Sequence, residues 1–211
     1  MDLMPTAMVG GSFDPIHLGH LHLIHTVAEQ TEYRRIILVP VGRNHFKPDA
    51  RPLAAHHRLA MIHLACAHYR TLYSDDMAVQ LVVEECELNR VGISYTYDTV
   101  TELYRRYPIK DRLAVVMGDD LLADLNRWYG YEELKRLVSF VIIRREEQGL
   151  SFADPGADLR YLDNRRLEDS STTIRAAMAA LGPDQAMPPS IADLLSPEVA
   201  AYIERERLYR L

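Results

Sequence analysis

The stretch Thr6-Ala-Met-Val-Gly-Gly-Ser-Phe-Asp-Pro-Ile-His-Leu-Gly-His20 decides the fold. Its first five residues are short and apolar and run into the Gly10-Gly11 pair. That pattern predicts a buried strand ending in a turn. From Leu18 to Glu29 the apolar residues Leu18, Leu21, Ile24, Val27 and Ala28 recur at helical spacing. A strand, a glycine turn and a helix form the opening of a βαβ unit.

Working outward, the alternation continues. Arg35 to Pro40 reads as a second buried strand, Val41 to Leu53 as a loop, and Ala54 to His68 as a helix. Met77 to Leu88 reads as a third strand, and Tyr97 to Tyr107 as a helix stopped by Pro108. Arg112 to Gly118 and Val138 to Arg144 are strands on either side of a short helix, Tyr131 to Leu137. After a polar loop over 146–156, Leu159 to Leu162 is a short last strand. Two helices follow, Ser171 to Leu181 and Pro197 to Leu208, joined by the Pro-rich link from Pro183 to Pro189. Strands alternating with helices predict an α/β fold with a doubly wound parallel sheet, Rossmann-like, with C-terminal helices. In such sheets ligands sit beyond the C-terminal strand ends, so functional residues should follow strands.

Composition sets the outer bounds. The 211 residues suit one domain, 1–211, large enough to bury about 70% of the unfolded surface without disulfides. Lys and Arg total 24 against 30 Asp and Glu, a net charge of −6, which argues against a nucleic-acid binder. Cys66 and Cys86 are the only cysteines, too few for a disulfide framework. No apolar run reaches the ~18 residues that cross a membrane, and no signal-peptide pattern opens the chain. The expectation is a soluble cytoplasmic protein; a homo-oligomer is left open.

The turn after the first strand carries the chemistry. It has neither the GxGxxG fingerprint nor the GxxxxGK[ST] phosphate loop. Instead His17-x-Gly19-His20 stands at a helix N-terminus. Residues three apart share a helix face, so both imidazoles can point one way. Gly19 leaves room for close approach, and the helix start offers N–H groups and a positive dipole end. The set suits a polyphosphate. The bland alternatives are caps or surface histidines, and a zinc site, which would want three or four ligands. The remaining histidines, His22, His25, His56, His57, His63 and His68, fall on helices and read as structural or solvated.

A second anchor lies in Ser170-Ser-Thr-Thr-Ile-Arg175. It reads as a helix start whose hydroxyls, dipole and arginine form a phosphate clamp, or more plainly as a capping box.

Gly10-Gly-Ser-Phe-Asp-Pro-x-His-x-Gly-His20 resembles the HxGH nucleotidylyltransferase signature, in the form found in bacterial nicotinate-nucleotide adenylyltransferases. Ser170, Ser171, Thr172, Ile174 and Arg175 resemble that family's second phosphate motif, with Asp169 where Ile is usual. Gly118-Asp-Asp120 followed by Trp128-Tyr129, and Ser94-Tyr-Thr96-Tyr-Asp-Thr99, are similar to its mononucleotide-binding segments. The resemblance implies transfer of AMP from ATP to nicotinate mononucleotide. It gives catalytic roles to His17, His20, Lys47 and Arg175. It assigns ATP to Gly10, Ser12, Phe13, Gly19, Asp120, Ser170, Ser171 and Thr172. It assigns the mononucleotide to Thr96, Trp128 and Tyr129, with Trp128 stacking on the pyridine ring. Mg²⁺ would ride on the ATP phosphates, with few or no protein ligands. Before Lys47 stand His45 and Phe46, where the family has Pro and His; Arg58 on the next helix is implied to support that loop. The tail from Pro197 to Tyr209 resembles the family's closing helix and reads as packing. Two other readings remain: a pantetheine-phosphate adenylyltransferase, which shares HxGH but would not need Trp128, and a catalytically idle nucleotide-binding module.

Overall fold

Runs of β-branched and apolar residues without polar alternation are what a strand covered on both faces requires. Strands β2 (Arg35–Pro40) and β4 (Leu113–Gly118) are buried at all six positions, and β1 (Thr6–Gly11) at its first four. The computed structural model describes residues 2–42, 52–76, 78–144, 151–164, 170–182 and 184–210. With β3 (Gln80–Val83), β5 (Val138–Ile143) and β6 (Asp158–Tyr161) these strands form one parallel sheet in the order β3-β2-β1-β4-β5-β6. The order reverses between β1 and β4, which is the switch point of a doubly wound sheet.

Register lines up one row of side chains across the whole sheet. Val82, Ile37, Met8, Val115, Phe140 and Leu159 are successive partners from β3 to β6. Over this row pack Val100 and Leu103 of α3 (Thr96–Arg106) and Leu134 of α4 (Tyr131–Leu137). Each such side chain, fully buried, contributes roughly 1.5–3 kcal/mol. Helix α3 carries Asp98 in its first turn and Arg105 and Arg106 in its last, matching the helix dipole at both ends.

The described residues group into two compact units. One comprises residues within 1–11, 26–50 and 78–166 and contains the sheet, α3 and α4. The other comprises residues within 12–25, 51–77 and 167–211. It holds α2 (Ala55–Leu72), α5 (Ser171–Ala179), α6 (Pro189–Ala192) and α7 (Pro197–Arg205). Helix α1 (Leu18–Gln30) begins in this unit. Within it α2 and α7 pack together, joined by His57 Nδ1 to Tyr202 Oη at 2.9 Å and by the His68–Glu198 pair at 3.2 Å. Among the described residues no helix is long and apolar enough to cross a membrane.

Most elements match the sequence expectation within two residues, but α2 runs four residues past its expected end, α7 stops three short, and three further segments differ. The third strand stops at Val83 instead of reaching Leu88. Beyond it Glu84 and Glu87 are buried and turn inward to bond side chains. Glu84 accepts from Arg106 Nη1 at 2.7 Å and Tyr107 Oη at 2.8 Å, and Glu87 from Thr99 Oγ1 at 2.7 Å. A 3₁₀ segment, Asp119–Arg127, occupies what reads as a polar loop, because Leu122 and Leu125 reach the core. The Pro-rich link holds the short helix α6.

Asp154 clasps α4 to the approach to β6. Its carboxylate accepts from Lys135 Nζ at 3.0 Å, the Gly156 N–H at 2.8 Å and Tyr131 Oη at 2.8 Å. Lys135 first, then the Gly156 N–H and Tyr131, hold its acidity near a pKa of about 2. A carboxylate whose folded pKa is depressed stabilises the fold above its unfolded pKa and loses that contribution as pH falls through the folded value. Thermal melts of the wild type should therefore drop between about pH 4 and pH 2, and Asp154→Asn should flatten that part of the profile. Identical profiles would show that the clasp carries no stability.

Candidate functional site

The chain leaves β1 at Gly11 and enters the turn Ser12–Ile16. Phe13 adopts φ 47°, and the Asp14–Pro15 peptide bond is cis. His17 follows, just outside α1. Its carbonyl accepts the first helical N–H groups, from His20 at 2.9 Å and Leu21 at 3.4 Å. His17 is therefore a cap residue, with His20 inside the first turn. Their rings still meet, with centroids 3.8 Å apart. The His17 N–H donates to His20 Nδ1 at 3.2 Å. An accepting Nδ1 leaves the ring proton of neutral His20 on Nε2, which makes Nε2–H a donor. Phe13 packs edge-on against the His20 ring at 5.1 Å. No acidic residue occupies the first turn of α1, so nothing there opposes an anion. Ser12 is exposed and Gly19 buried.

The second motif reaches the same turn. Ser170 caps α5, its Oγ accepting the Thr173 N–H at 3.0 Å. Ser171 Oγ donates to the Pro15 carbonyl at 2.9 Å. Arg175 Nη1 donates to the Asp14 carbonyl at 2.6 Å, and Nη2 to Thr172 Oγ1 at 3.2 Å. Ser170 is the cap that the plainer reading expects, while Ser171 and Arg175 bond the turn before His17 directly. Arg58 supports the turn from α2, donating from Nη1 to the Ser12 carbonyl at 2.8 Å and from Nε to Leu53 at 3.0 Å. Burial lowers the proton affinity of this guanidinium, and the Asp14 carboxylate offsets part of that.

Sequence reasoning missed the role of Asp14. Its carboxylate accepts from Tyr209 Oη at 2.8 Å and from the Leu53 N–H at 3.3 Å. The signal was an acidic residue before proline in an otherwise apolar turn. Lys47, with His45 and Phe46, lies outside the described residues, as does Asp169.

The remaining predicted residues belong to the sheet unit. Gly10 and Asp120 follow from adjacent parallel strands, β1 and β4, at the switch point. Asp119 is buried while Asp120 is exposed. A Cβ at Gly10 would meet no described atom within 4 Å, so packing does not require glycine there. Thr96 opens α3. Tyr129, 58% exposed, stacks on Tyr95 at 4.6 Å and meets Tyr97 edge-on at 6.2 Å, which brings it beside Thr96. Trp128 sits in the bend between the 3₁₀ segment and α4, beside exposed Arg127 and Tyr129; it is half-buried and also packs against the core. Among the described residues no group of three His, Cys, Asp or Glu could hold a metal ion.

These observations define a nucleotidylyltransferase-type α/β protein. A family model described as cytidylyltransferase-like matches residues 8–177, and the chain belongs to that family. It is 31% identical, over 100% of both chains, to the "Probable nicotinate-nucleotide adenylyltransferase" of Roseiflexus sp. (strain RS-1). It is 37% identical to the protein so named in Treponema pallidum, over 66% of this chain and 65% of that one, slightly under two thirds of the relative's length. Within the family it stands with the nicotinate-nucleotide adenylyltransferases. In fold it is similar to the Plasmodium falciparum nicotinic acid mononucleotide adenylyltransferase solved with NaAD. The TM-score is 0.73 at 20% identity, covering 98% of this chain and 97% of that one.

Gly130 sets the start of α4 just after Trp128 and Tyr129. It adopts φ 67°, and a Cβ there would lie 3.0 Å from the Tyr97 ring. Gly130→Ala should cost roughly 1–2 kcal/mol from the left-handed backbone alone, seen as a lower midpoint in urea. An unchanged midpoint would show that neither the left-handed backbone nor the Tyr97 contact constrains residue 130.

Proposed function

We propose that this chain transfers AMP from ATP to nicotinate mononucleotide, forming deamido-NAD and pyrophosphate. The observation that carries the reading is the pair of bonds from Ser171 and Arg175 to the carbonyls of Pro15 and Asp14. They join residue pairs 156 and 161 positions apart, one member from each candidate phosphate motif, and so support reading the two motifs as one site. The family membership and the named relatives support the substrates.

A phosphate oxygen of the mononucleotide attacks the α-phosphorus of ATP in line, the bond to the bridging oxygen breaks, and pyrophosphate leaves with that electron pair. A phosphate monoester is already ionised near neutral pH, so catalysis is positioning and charge stabilisation. His17 and His20 orient the triphosphate, His20 through its Nε2–H. Arg175 spends two donors on Asp14 and Thr172, and its remaining N–H groups serve the phosphates together with the Ser170 and Thr172 hydroxyls, while Ser171 holds the Pro15 carbonyl beside them. Lys47 holds the leaving pyrophosphate; this role rests on its place in the motif. Gly10, Ser12, Phe13 and Gly19 shape the turn, and Asp120 bonds ribose. Trp128, Tyr129 and Thr96 take the mononucleotide. Mg²⁺ would be held mainly through the nucleotide's phosphates, where it would neutralise their charge.

Pyrophosphate release with ATP plus nicotinate mononucleotide, nicotinamide mononucleotide or phosphopantetheine tests the reading. The acid mononucleotide should be preferred about a hundredfold or more in kcat/KM, since each mismatched buried donor costs about 1–3 kcal/mol. Equal use of acid and amide would refute the substrate, and release only with phosphopantetheine would replace it. His20→Ala should lower kcat by about 10² or more, as loss of a preorganised donor does. Arg175→Lys should rescue Arg175→Ala only in part, because an ammonium cannot reproduce the fork to Asp14 and Thr172.

A further inference from the structure

The C-terminal tail ends its helix in an unusual way. Arg207 and Tyr209 both adopt left-handed backbone, φ 53° and 65°, with buried Leu208 between them. Left-handed conformations are unfavourable for side chains of this size, so the surrounding structure must hold them. The Leu208 N–H donates to the Ile203 carbonyl at 3.0 Å. Arg210 ties the tail down by bonds to the carbonyls of Gly182 (3.1 Å) and Gln185 (2.7 Å) and to Glu204 (2.7 Å). The tail so folded delivers the Tyr209 phenol to Asp14 Oδ1 at 2.8 Å.

We propose that Tyr209 is a positioning residue for adenylyl transfer, acting through Asp14 on the HxGH turn. The proposal rests on the function assigned above. Asp14 stands three residues before His17 and is 5% exposed. Its own carbonyl takes Arg175, one carboxylate oxygen takes the Leu53 N–H, and the other takes Tyr209. Three separate segments thus converge on one residue of the turn. Burial and the Asp14 carboxylate push the phenol's proton affinity well up, so Tyr209 remains a donor at any working pH. Arg58, 3% exposed, bonds the neighbouring Ser12 carbonyl and supplies the positive charge this carboxylate faces. With the phenol hydroxyl gone, the Asp14 carboxylate loses its side-chain donor. Among the described residues that carboxylate is then held only by the Leu53 N–H, and the turn's backbone can drift from the position in which Arg175 and the two histidines meet the phosphates.

The test is Tyr209→Phe, with Tyr202→Phe as control. Tyr202→Phe also removes one phenol bond in the C-terminal segment, that to His57, without touching the turn. Tyr209→Phe should lower kcat/KM for ATP about tenfold, the scale of one hydrogen bond to a charged group. KM for ATP should rise while KM for the mononucleotide stays. Tyr202→Phe should leave all three unchanged. Asp14→Asn should give a comparable loss. The double variant should be no worse than the poorer single, because the two act as a unit. ATP binding by calorimetry gives a readout independent of turnover, and Kd should rise about tenfold in Tyr209→Phe. Unchanged kcat/KM and Kd in a folded Tyr209→Phe protein would overturn the proposal. So would equal losses in both tyrosine variants, which would mean a merely structural role. Should Tyr209→Phe not fold, additive losses in Asp14→Asn with Tyr209→Trp would equally overturn it. A wild type that releases no pyrophosphate sinks the assigned function instead, and the calorimetric arm still decides the role of Tyr209.

Discussion

Three backbone acceptors in the turn after β1, the carbonyls of Ser12, Asp14 and Pro15, are each bonded by a side chain remote in sequence. Arg58, Arg175 and Ser171 lie 46, 161 and 156 residues away. A buried carbonyl left unbonded costs roughly 1–3 kcal/mol. The turn therefore keeps its shape only while α2 and α5 supply these donors. Residue 13 in a left-handed conformation adds a further demand on the surroundings. The geometry of His17 and His20 follows from this turn, since His17 caps α1 from its last position and His20 accepts the His17 N–H.

The sheet unit solves a different problem. Its strands are apolar on both faces, so they specify burial strongly and chemistry hardly at all. Chemistry appears where the strands end. Gly10-Gly11 and Gly118-Asp119-Asp120 leave β1 and β4 on either side of the switch point. The buried carboxylates after β3 are partnered: Glu84 meets Arg106 and Tyr107, and Glu87 meets Thr99. A buried carboxylate without such partners would be far more destabilising than a misplaced apolar residue. The two cysteines fit no reactive role. Burial pushes the Cys66 thiol up to about 12 and the Cys86 thiol up to about 11, far from the thiolate a nucleophile needs.

Local pattern made several elements legible. The boundaries of β2 and α4 are those read from the sequence, because an apolar run and a Gly-to-polar start leave little choice. The third strand was over-extended because Glu84 to Leu88 continues an apolar alternation. Whether those glutamates face solvent or bond Arg106 and Thr99 depends on α3, which is remote in sequence from that strand's own pattern. The 3₁₀ segment was invisible for a similar reason: Leu122 and Leu125 look like isolated apolar residues until the core row is assembled. Trp128 was read as a ligand aromatic from its polar neighbours, yet its side chain also covers the core.

The sequence alone determined the alternation of strands and helices, hence the parallel doubly wound sheet. It also determined the two candidate phosphate motifs, because hydrophobic period and motif spacing are properties of neighbouring residues. Tertiary structure decided how those motifs are held. That Ser171 and Arg175 bond the carbonyls of Pro15 and Asp14, that Arg58 bonds Ser12, and that Tyr209 returns to the Asp14 carboxylate are facts of pairing between distant segments. A hydrogen bond forms where donor and acceptor meet within about 3 Å in the right direction. Only the folded chain brings residue 209 to residue 14 at that distance.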